Sequence, residues 1–334
     1  MRQTIDPHLT EAQQAALELL RSAQSVLLTG HVRPDGDCIG AQAALARVLT
    51  ALGKDVVILN PDPPEPQFDY LSSQLDYQSY SGGDVPEHDL TVLLDCSELS
   101  RCGHLAPALS AAPTKKLVVD HHIHVGDEWW DETFADVTAS ATGVLVYRIA
   151  RALEIELDTI AASGVFTSIV TDTGWFKYSN TDAETLRVAG ELVEHGVDPS
   201  RVYGAIYQRR PAEHPTRVGQ ALASAEVHAE GRLAVVIVRL EEGRPADFDS
   251  DDVMDILRSV DGLEVVLLLR ELEGGVCKLS ARSKTDYDVN ALARQFGGGG
   301  HAKASGATLK GLPDDVMREL VIAAEAGFGE SQDT

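Results

Sequence analysis

Short continuous apolar runs alternate with amphipathic stretches along the first two-thirds of the chain, and the two patterns differ in period. Residues 9–22 repeat apolar positions every three to four residues behind Thr10, with Glu11 in the first turn, which predicts a capped helix. Val/Leu/Ile runs predict strands at 25–29, 55–59, 90–94 and 117–119, with helices at 39–52, 140–153 and 158–170. Runs without polar alternation belong to strands buried on both faces, hence to a parallel sheet with helices on both sides. Helices at 182–195 and 199–208 complete this region. The stretch Gln208–Pro215 holds two prolines and few apolar residues, so it reads as a linker. Beyond it the pattern predicts a helix at 216–229, strands at 233–240, 264–272 and 276–283, and a helix at 289–296. A short strand near 306–309 and a final helix from about 314 follow. The expected architecture is α/β, with a parallel-sheet domain over 1–207, a linker over 208–218 and a smaller α/β domain over 219–330.

Composition narrows the class. A chain of 334 residues has room for two cores. No apolar run approaches the ~20 residues that cross a bilayer. The opening Met-Arg-Gln-Thr-Ile-Asp-Pro has no signal-like apolar region. Cys38, Cys96, Cys102 and Cys277 form no CxxC pair, so a reduced, cytoplasmic protein without a membrane partner is expected. The formal net charge of −24 argues against tight binding of long nucleic acid. It leaves room for a nucleotide or short oligomer in a locally basic pocket. Residues 278–303 supply one: Lys278, Arg282, Lys284, Arg294 and Lys303 against Asp286 and Asp288.

The candidate chemistry sits at the ends of the predicted strands. His31, Asp35 and Asp37 follow the first, Asp95 ends the strand at 90–94, and Asp120-His121-His122 ends the strand at 117–119. Asp172 lies in Val-Thr-Asp-Thr-Gly-Trp. In open α/β sheets ligands bind beyond the carboxyl ends of the strands. Carboxylates and imidazoles gathered there are unfavourable unless a positive group occupies the space between them. A two-metal site needs a bridging carboxylate, terminal ligands and room for a water. His31, Asp35 and Asp37 from one turn, Asp95 as the bridge, and His121 with Asp172 fit that need. Oxygen-rich shells with few imidazoles favour two divalent ions of the Mn²⁺ or Mg²⁺ type, with cobalt as a substitute. Cys38 and Cys96 read as small buried fillers turned away from the ions, and His124 as a surface residue.

A second candidate site lies in the smaller domain. Gly297-Gly-Gly-Gly-His301 follows a helix and precedes a strand. Glycine amides, Gly300 among them, can approach an anion closely and form a nest, to which His301 adds a donor. Arg282 and Ser283 offer a guanidinium and a hydroxyl at a strand end, a phosphate-binding combination.

The blocks His31-Val-Arg-Pro-Asp35-Gly-Asp37-Cys-Ile-Gly40, Leu-Leu-Asp95, Asp120-His121-His122 and Thr-Asp172-Thr-Gly-Trp-Phe resemble the DHH phosphoesterase superfamily. The resemblance covers almost the whole chain. It implies one Mn²⁺ on His31, Asp35 and Asp95, and a second on Asp37, Asp95, His121 and Asp172. It further implies that Asp120 orients a ligand imidazole and that His122 faces the substrate phosphate. One departure is Ala41, where the family usually has a serine after the glycine. Arg282-Ser283 with the Gly-Gly-Gly-Gly-His segment is similar to the DHH-associated domain of bifunctional nanoRNase/pAp phosphatases. That likeness implies an active site in the cleft between the domains, with Arg282, Ser283, Gly300 and His301 gripping a terminal phosphate and Asn290 contributing. It implies hydrolysis of very short oligoribonucleotides, including pGpG and pApA, and of 3′-phosphoadenosine 5′-phosphate (pAp); a homodimer is one assembly open to the chain. The same site is compatible with cyclic dinucleotide hydrolysis. A non-catalytic, nucleotide-binding regulatory module is the competing reading from another class.

Overall fold

The computed structural model describes residues 9–124, 126–240 and 250–330. The chain divides into two compact units, Met1–Arg209 and Arg210–Thr334.

The first unit is built on strands β1 (Ser25–Thr29), β2 (Asp55–Asn60), β3 (Tyr77–Ser79), β4 (Leu90–Leu94), β5 (Lys115–Asp120) and β6 (Glu132–Ala135). Among the described residues they form one parallel sheet in the order β3-β2-β1-β4-β5-β6. The chain winds outward from β1 in both directions, so the order reverses between β1 and β4. That reversal opens a crevice at the carboxyl ends of the central strands. Helix α1 (Glu11–Ser22) begins at Thr10 with a reciprocal box: Gln13 N–H donates to the threonine hydroxyl, and the Gln13 amide oxygen accepts from Thr10 N–H.

Helix α2 (Gly36–Ala51) is buried over most of its surface, as expected of a helix with apolar residues on every side. Short helices α3 (Asp69–Ser72) and α4 (Ala106–Ala111) cover the sheet between strands. Helices α5 (Thr142–Ala152), α6 (Thr159–Asp172), α7 (Ala183–Glu194) and α8 (Pro199–Tyr207) follow β6. Helices α2 and α6 meet backbone to backbone. A Cβ on Gly40 would stand 2.4 Å from the Gly164 carbonyl, and one on Gly164 would stand 2.6 Å from the Gly40 carbonyl. Only glycine permits that approach.

The second unit contains a mixed sheet in the order β11-β12-β10-β9-β8-β7. Its strands are β7 (Glu226–His228), β8 (Leu233–Val238), β9 (Val265–Leu272), β10 (Val276–Ser283), β11 (Gly299–His301) and β12 (Ala304–Lys310). Alternate residues face opposite cores. Leu233, Val235, Leu267 and Leu279 pack on α11 (Val289–Gln295) and α12 (Pro313–Glu330). Ala234, Val236, Val266 and Leu268 pack on α9 (His214–Ala223) and α10 (Ser250–Arg258).

Several elements differ from the sequence pattern. Within the stretch expected to be a linker, α9 already begins at His214. The helix expected over 216–229 stops at Ala223, where the Ser224 hydroxyl donates to the Ala221 carbonyl, and Val227 then pairs with Ala234 as an edge strand. Strands β3 and β6 are three and four residues long, too short to print a period. The glycine run is not a free loop. Gly297, with φ 73°, follows α11, and Gly299–His301 pairs antiparallel with Ala304–Gly306 as the outermost strand.

Candidate metal centre

Each acid and imidazole of the crevice is delivered by a strand end or helix terminus, and most are held by bonds to neighbours. His31 lies just past β1, is 4% exposed, and donates Nδ1–H to the Val32 carbonyl at 2.9 Å. Its Nε2 is thereby turned to Asp95 Oδ2 at 3.3 Å and Asp35 Oδ1 at 3.9 Å. Asp35 caps α2, accepting from the Asp37 and Cys38 amides at 3.1 Å, while its side chain remains largely exposed. Asp37, in the first turn of the same helix, is buried. It accepts from Thr142 N–H at 2.9 Å and Gly143 N–H at 3.3 Å, the first amides of α5, and from the Ser168 hydroxyl at 2.5 Å. The first amides of a helix have no partner within the helix, and here Asp37 supplies one.

Asp95 directly follows β4 in a left-handed conformation, φ 63°, which aspartate tolerates better than most residues. Its N–H reaches the Val119 carbonyl at 3.0 Å and its Oδ1 accepts from the Thr142 hydroxyl at 3.1 Å. His121 donates Nδ1–H to the Ala139 carbonyl at 3.1 Å. Its Nε2 faces Asp37 at 3.4 Å, Asp172 at 3.7 Å and Asp95 at 3.8 Å, yet it is buried without a hydrogen-bond partner. Asp172 ends α6, where the Asn180 amide donates to its carbonyl oxygen at 3.2 Å.

These groups are mutually repulsive as they stand. Burial, and then the nearby Asp37 carboxylate, push Asp95 well above the carboxylate range. Burial and Asp37 likewise push Asp172 up to about 7. A buried imidazole nitrogen with no partner, among carboxylates that resist ionisation together, is what a cation would resolve. Ligand atoms at octahedral corners about 2.1 Å from a metal lie about 3 Å apart, close to the spacing seen here. Three sets of ligand atoms each fall within 4.8 Å: His31, Cys38 and Asp95; Asp95, His121 and His122; Asp37, His121 and Asp172. The donor set therefore suits divalent metal ions.

Two local expectations change. Cys38 does not turn away from the cluster, because its Sγ belongs to the first of those sets; burial holds the thiol neutral, its pKa well above the usual value. Asp120 does not orient His121, which the Ala139 carbonyl holds. Its Oδ1 instead accepts from His122 N–H at 3.1 Å and Nδ1–H at 2.8 Å. Burial opposes the Asp120 charge, but the bonds from His122 and Ser97 outweigh it and keep the carboxyl ionised; the Asp120 bond in turn raises His122. Thr142, Gly143, Ser168, Ala139 and Asn180 were not legible as site residues. The only trace is the small-residue run Ala139-Ser-Ala-Thr-Gly143, whose amides and carbonyl do the holding. A third expectation changes as well: His124, expected at the surface, is half-buried against the edge of Trp130, 4.7 Å between ring centroids.

In the second unit, Arg282 donates to Asp251 at 3.3 Å and to the Ala281 carbonyl at 3.2 Å. The Ser283 hydroxyl is 2% exposed and donates to the Thr285 carbonyl at 3.0 Å, so meeting a ligand would require breaking that bond. Asn290 Oδ1 is buried and unpartnered beside Gly299. Gly300 and His301 lie exposed on the outermost strand.

A carboxylate–imidazole cluster suited to divalent cations, at the switch point of a parallel sheet in a chain of two α/β units, is the arrangement of a hydrolase of the DHH phosphoesterase class. The chain belongs to the DHH family: its N-terminal domain matches residues 25–169 and the DHHA1 domain matches residues 231–329. It is 34% identical over 96% of its length to a bifunctional oligoribonuclease and PAP phosphatase NrnA of Thermus thermophilus, covering 95% of that protein. It is 27% identical over 87% of its length to the corresponding protein of Bacillus subtilis, covering 92% of it. The fold is shared with an exopolyphosphatase-related protein from Bacteroides fragilis, with TM-score 0.85, 24% identity and coverage of 95% and 98% of the two chains.

Proposed function

We propose that this protein is a Mn²⁺-dependent phosphoesterase that hydrolyses very short oligoribonucleotides, including pGpG and pApA, and removes the 3′ phosphate of pAp. The buried, unpartnered Nε2 of His121 facing three carboxylates carries the reading. The two relatives above are named for both activities and run the length of this chain. His31, Asp35 and Asp95 would hold one ion, and Asp37, Asp95, His121 and Asp172 the other, with Mg²⁺ or Co²⁺ as substitutes. Bound ions of this kind lower the pKa of water and neutralise charge on a phosphoryl group. The chain's part is positioning. The α5 amides and Ser168 fix Asp37, Ala139 fixes His121, and Asp120 fixes His122 with its Nε2 free for the phosphate or the leaving oxygen. Arg282, Ser283, Asn290, Gly300 and His301 would hold the substrate's terminal phosphate and its nucleotide. The acidic surface disfavours long polymers. With no long apolar helix among the described residues and every cysteine free and buried, we place the protein in the cytoplasm.

The test is turnover of pAp, cyclic dinucleotides and an RNA ladder of about two to twenty nucleotides with Mn²⁺, beside Asp95→Ala and His121→Ala. Wild type should consume pAp and the shortest RNAs, and both variants should be inactive. Activity retained in either variant, or preference for the longest RNA, would refute the reading.

A further inference from the structure

In the loop joining β5 to β6, Trp129 ties its segment to the residue that follows β4 and Cys96. Trp129 Nε1–H donates to the Ser97 carbonyl at 2.6 Å, and its ring packs on the cluster of Leu27, Leu93 and Val118. The Ser97 hydroxyl donates to Asp120 Oδ2, also at 2.6 Å. Asp120 Oδ1 accepts from His122 N–H and Nδ1–H. Asp120 is 0% and Ser97 4% exposed, so water does not replace these bonds. Three segments thus form one line, Trp129 to Ser97 to Asp120 to His122. A carboxylate bonded through one oxygen alone can swing about that bond. The serine hydroxyl on the other oxygen fixes its plane, and with it the ring it holds.

We propose that Ser97 and Trp129 are positioning residues that fix His122 through Asp120, setting its Nε2 for the transferred phosphate. This rests on the catalytic role given above to Asp120 and His122. Outer hydrogen-bond partners of this sort contribute about 10- to 100-fold to activity. Ser97→Ala should lower kcat on pAp by about that factor, with KM within about twofold. Made in a His122→Ala background, the same substitution should change kcat by less than about twofold, since the ring it serves is gone. Trp129→Phe keeps the ring and removes the N–H, so it should give a smaller loss with the same dependence on His122. It carries the comparison if Ser97→Ala does not fold. Equal losses in both backgrounds, or a loss confined to KM, would overturn the proposal.

A second readout does not depend on turnover. Long-range ¹H–¹⁵N spectra of the Mg²⁺-loaded protein should place the His122 proton on Nδ1 in wild type, and on a mixture of Nδ1 and Nε2 in Ser97→Ala. An unchanged tautomer overturns the inference. Wild type inactive on both pAp and short RNA would defeat the functional reading, while these spectra would still decide the positioning role.

Discussion

The two units hold their candidate groups in opposite ways. In the first, charged side chains are buried and locked by backbone amides, hydroxyls and carbonyls, as Asp37 is by Thr142, Gly143 and Ser168. In the second, Arg282 and Ser283 end an inner strand while Gly300 and His301 lie exposed on the outermost one, where what is constrained is the backbone. A Cβ on Gly298 would stand 2.1 Å from the Gly306 carbonyl, and one on Gly300 2.5 Å from that of Ala304. A site that must concentrate like charges needs deep burial and many bonds. One that receives an anion from water needs only a surface shaped without side chains.

Breaking the buried site should have the largest effect. Asp95→Ala should bring turnover below detection on pAp and short RNA, measured with saturating Mn²⁺. Asp95→Asn should be equally inactive. Yet in chelator it should melt on the order of 3–6 °C above wild type, because it removes a carboxylate that the fold holds against repulsion.

Removing metal comes next. Burial raises Asp172 to about 7, so the metal-free fold holds that proton more tightly than the unfolded chain does. The resulting stabilisation is present at low pH and is lost as pH climbs from the ordinary carboxylate range through about 7. Chelation should therefore lower the melting temperature more at about pH 8 than at about pH 5.5. An equal drop at both values would contradict a cluster that depends on its cation.

The second unit should respond more gently. Arg282→Ala should raise KM for pAp about tenfold, the value of one charged hydrogen bond, with kcat within about twofold. Gly298→Ala should destabilise the second unit by about 1–3 kcal/mol, seen as an earlier transition in calorimetry. It should leave hydrolysis of bis-p-nitrophenyl phosphate, a substrate with no terminal phosphate to grip, nearly unchanged.

What the chain disclosed in advance follows the same division. Strands β1 and β4 match their expected bounds because continuous apolar runs mark buried strands, and β10 matches because every second residue from Cys277 to Ser283 is buried. The acids and imidazoles stood out because they end those runs. The residues that hold them, Ala139, Thr142 and Ser168, were silent because their contributions are amides, carbonyls and hydroxyls that many residues could supply. Helix α10 went unread although Val253, Met254 and Leu257 recur at helical spacing, because its nine residues repeat that spacing too briefly to stand out. The edge strands β3, β6, β7 and β11 were missed because their pairing depends on distant partners rather than on their own three or four residues.

The mutual contact of Gly40 and Gly164 has a reach beyond its own position. Gly40 lies one turn from Asp37 on α2, and Gly164 two turns from Asp172 on α6. A single methyl group at either glycine would act as a wedge, levering apart two rods that each carry an acid at the crevice. The gauge of the gap between those acids is therefore kept by side chains the two glycines lack, at a point buried between two helices.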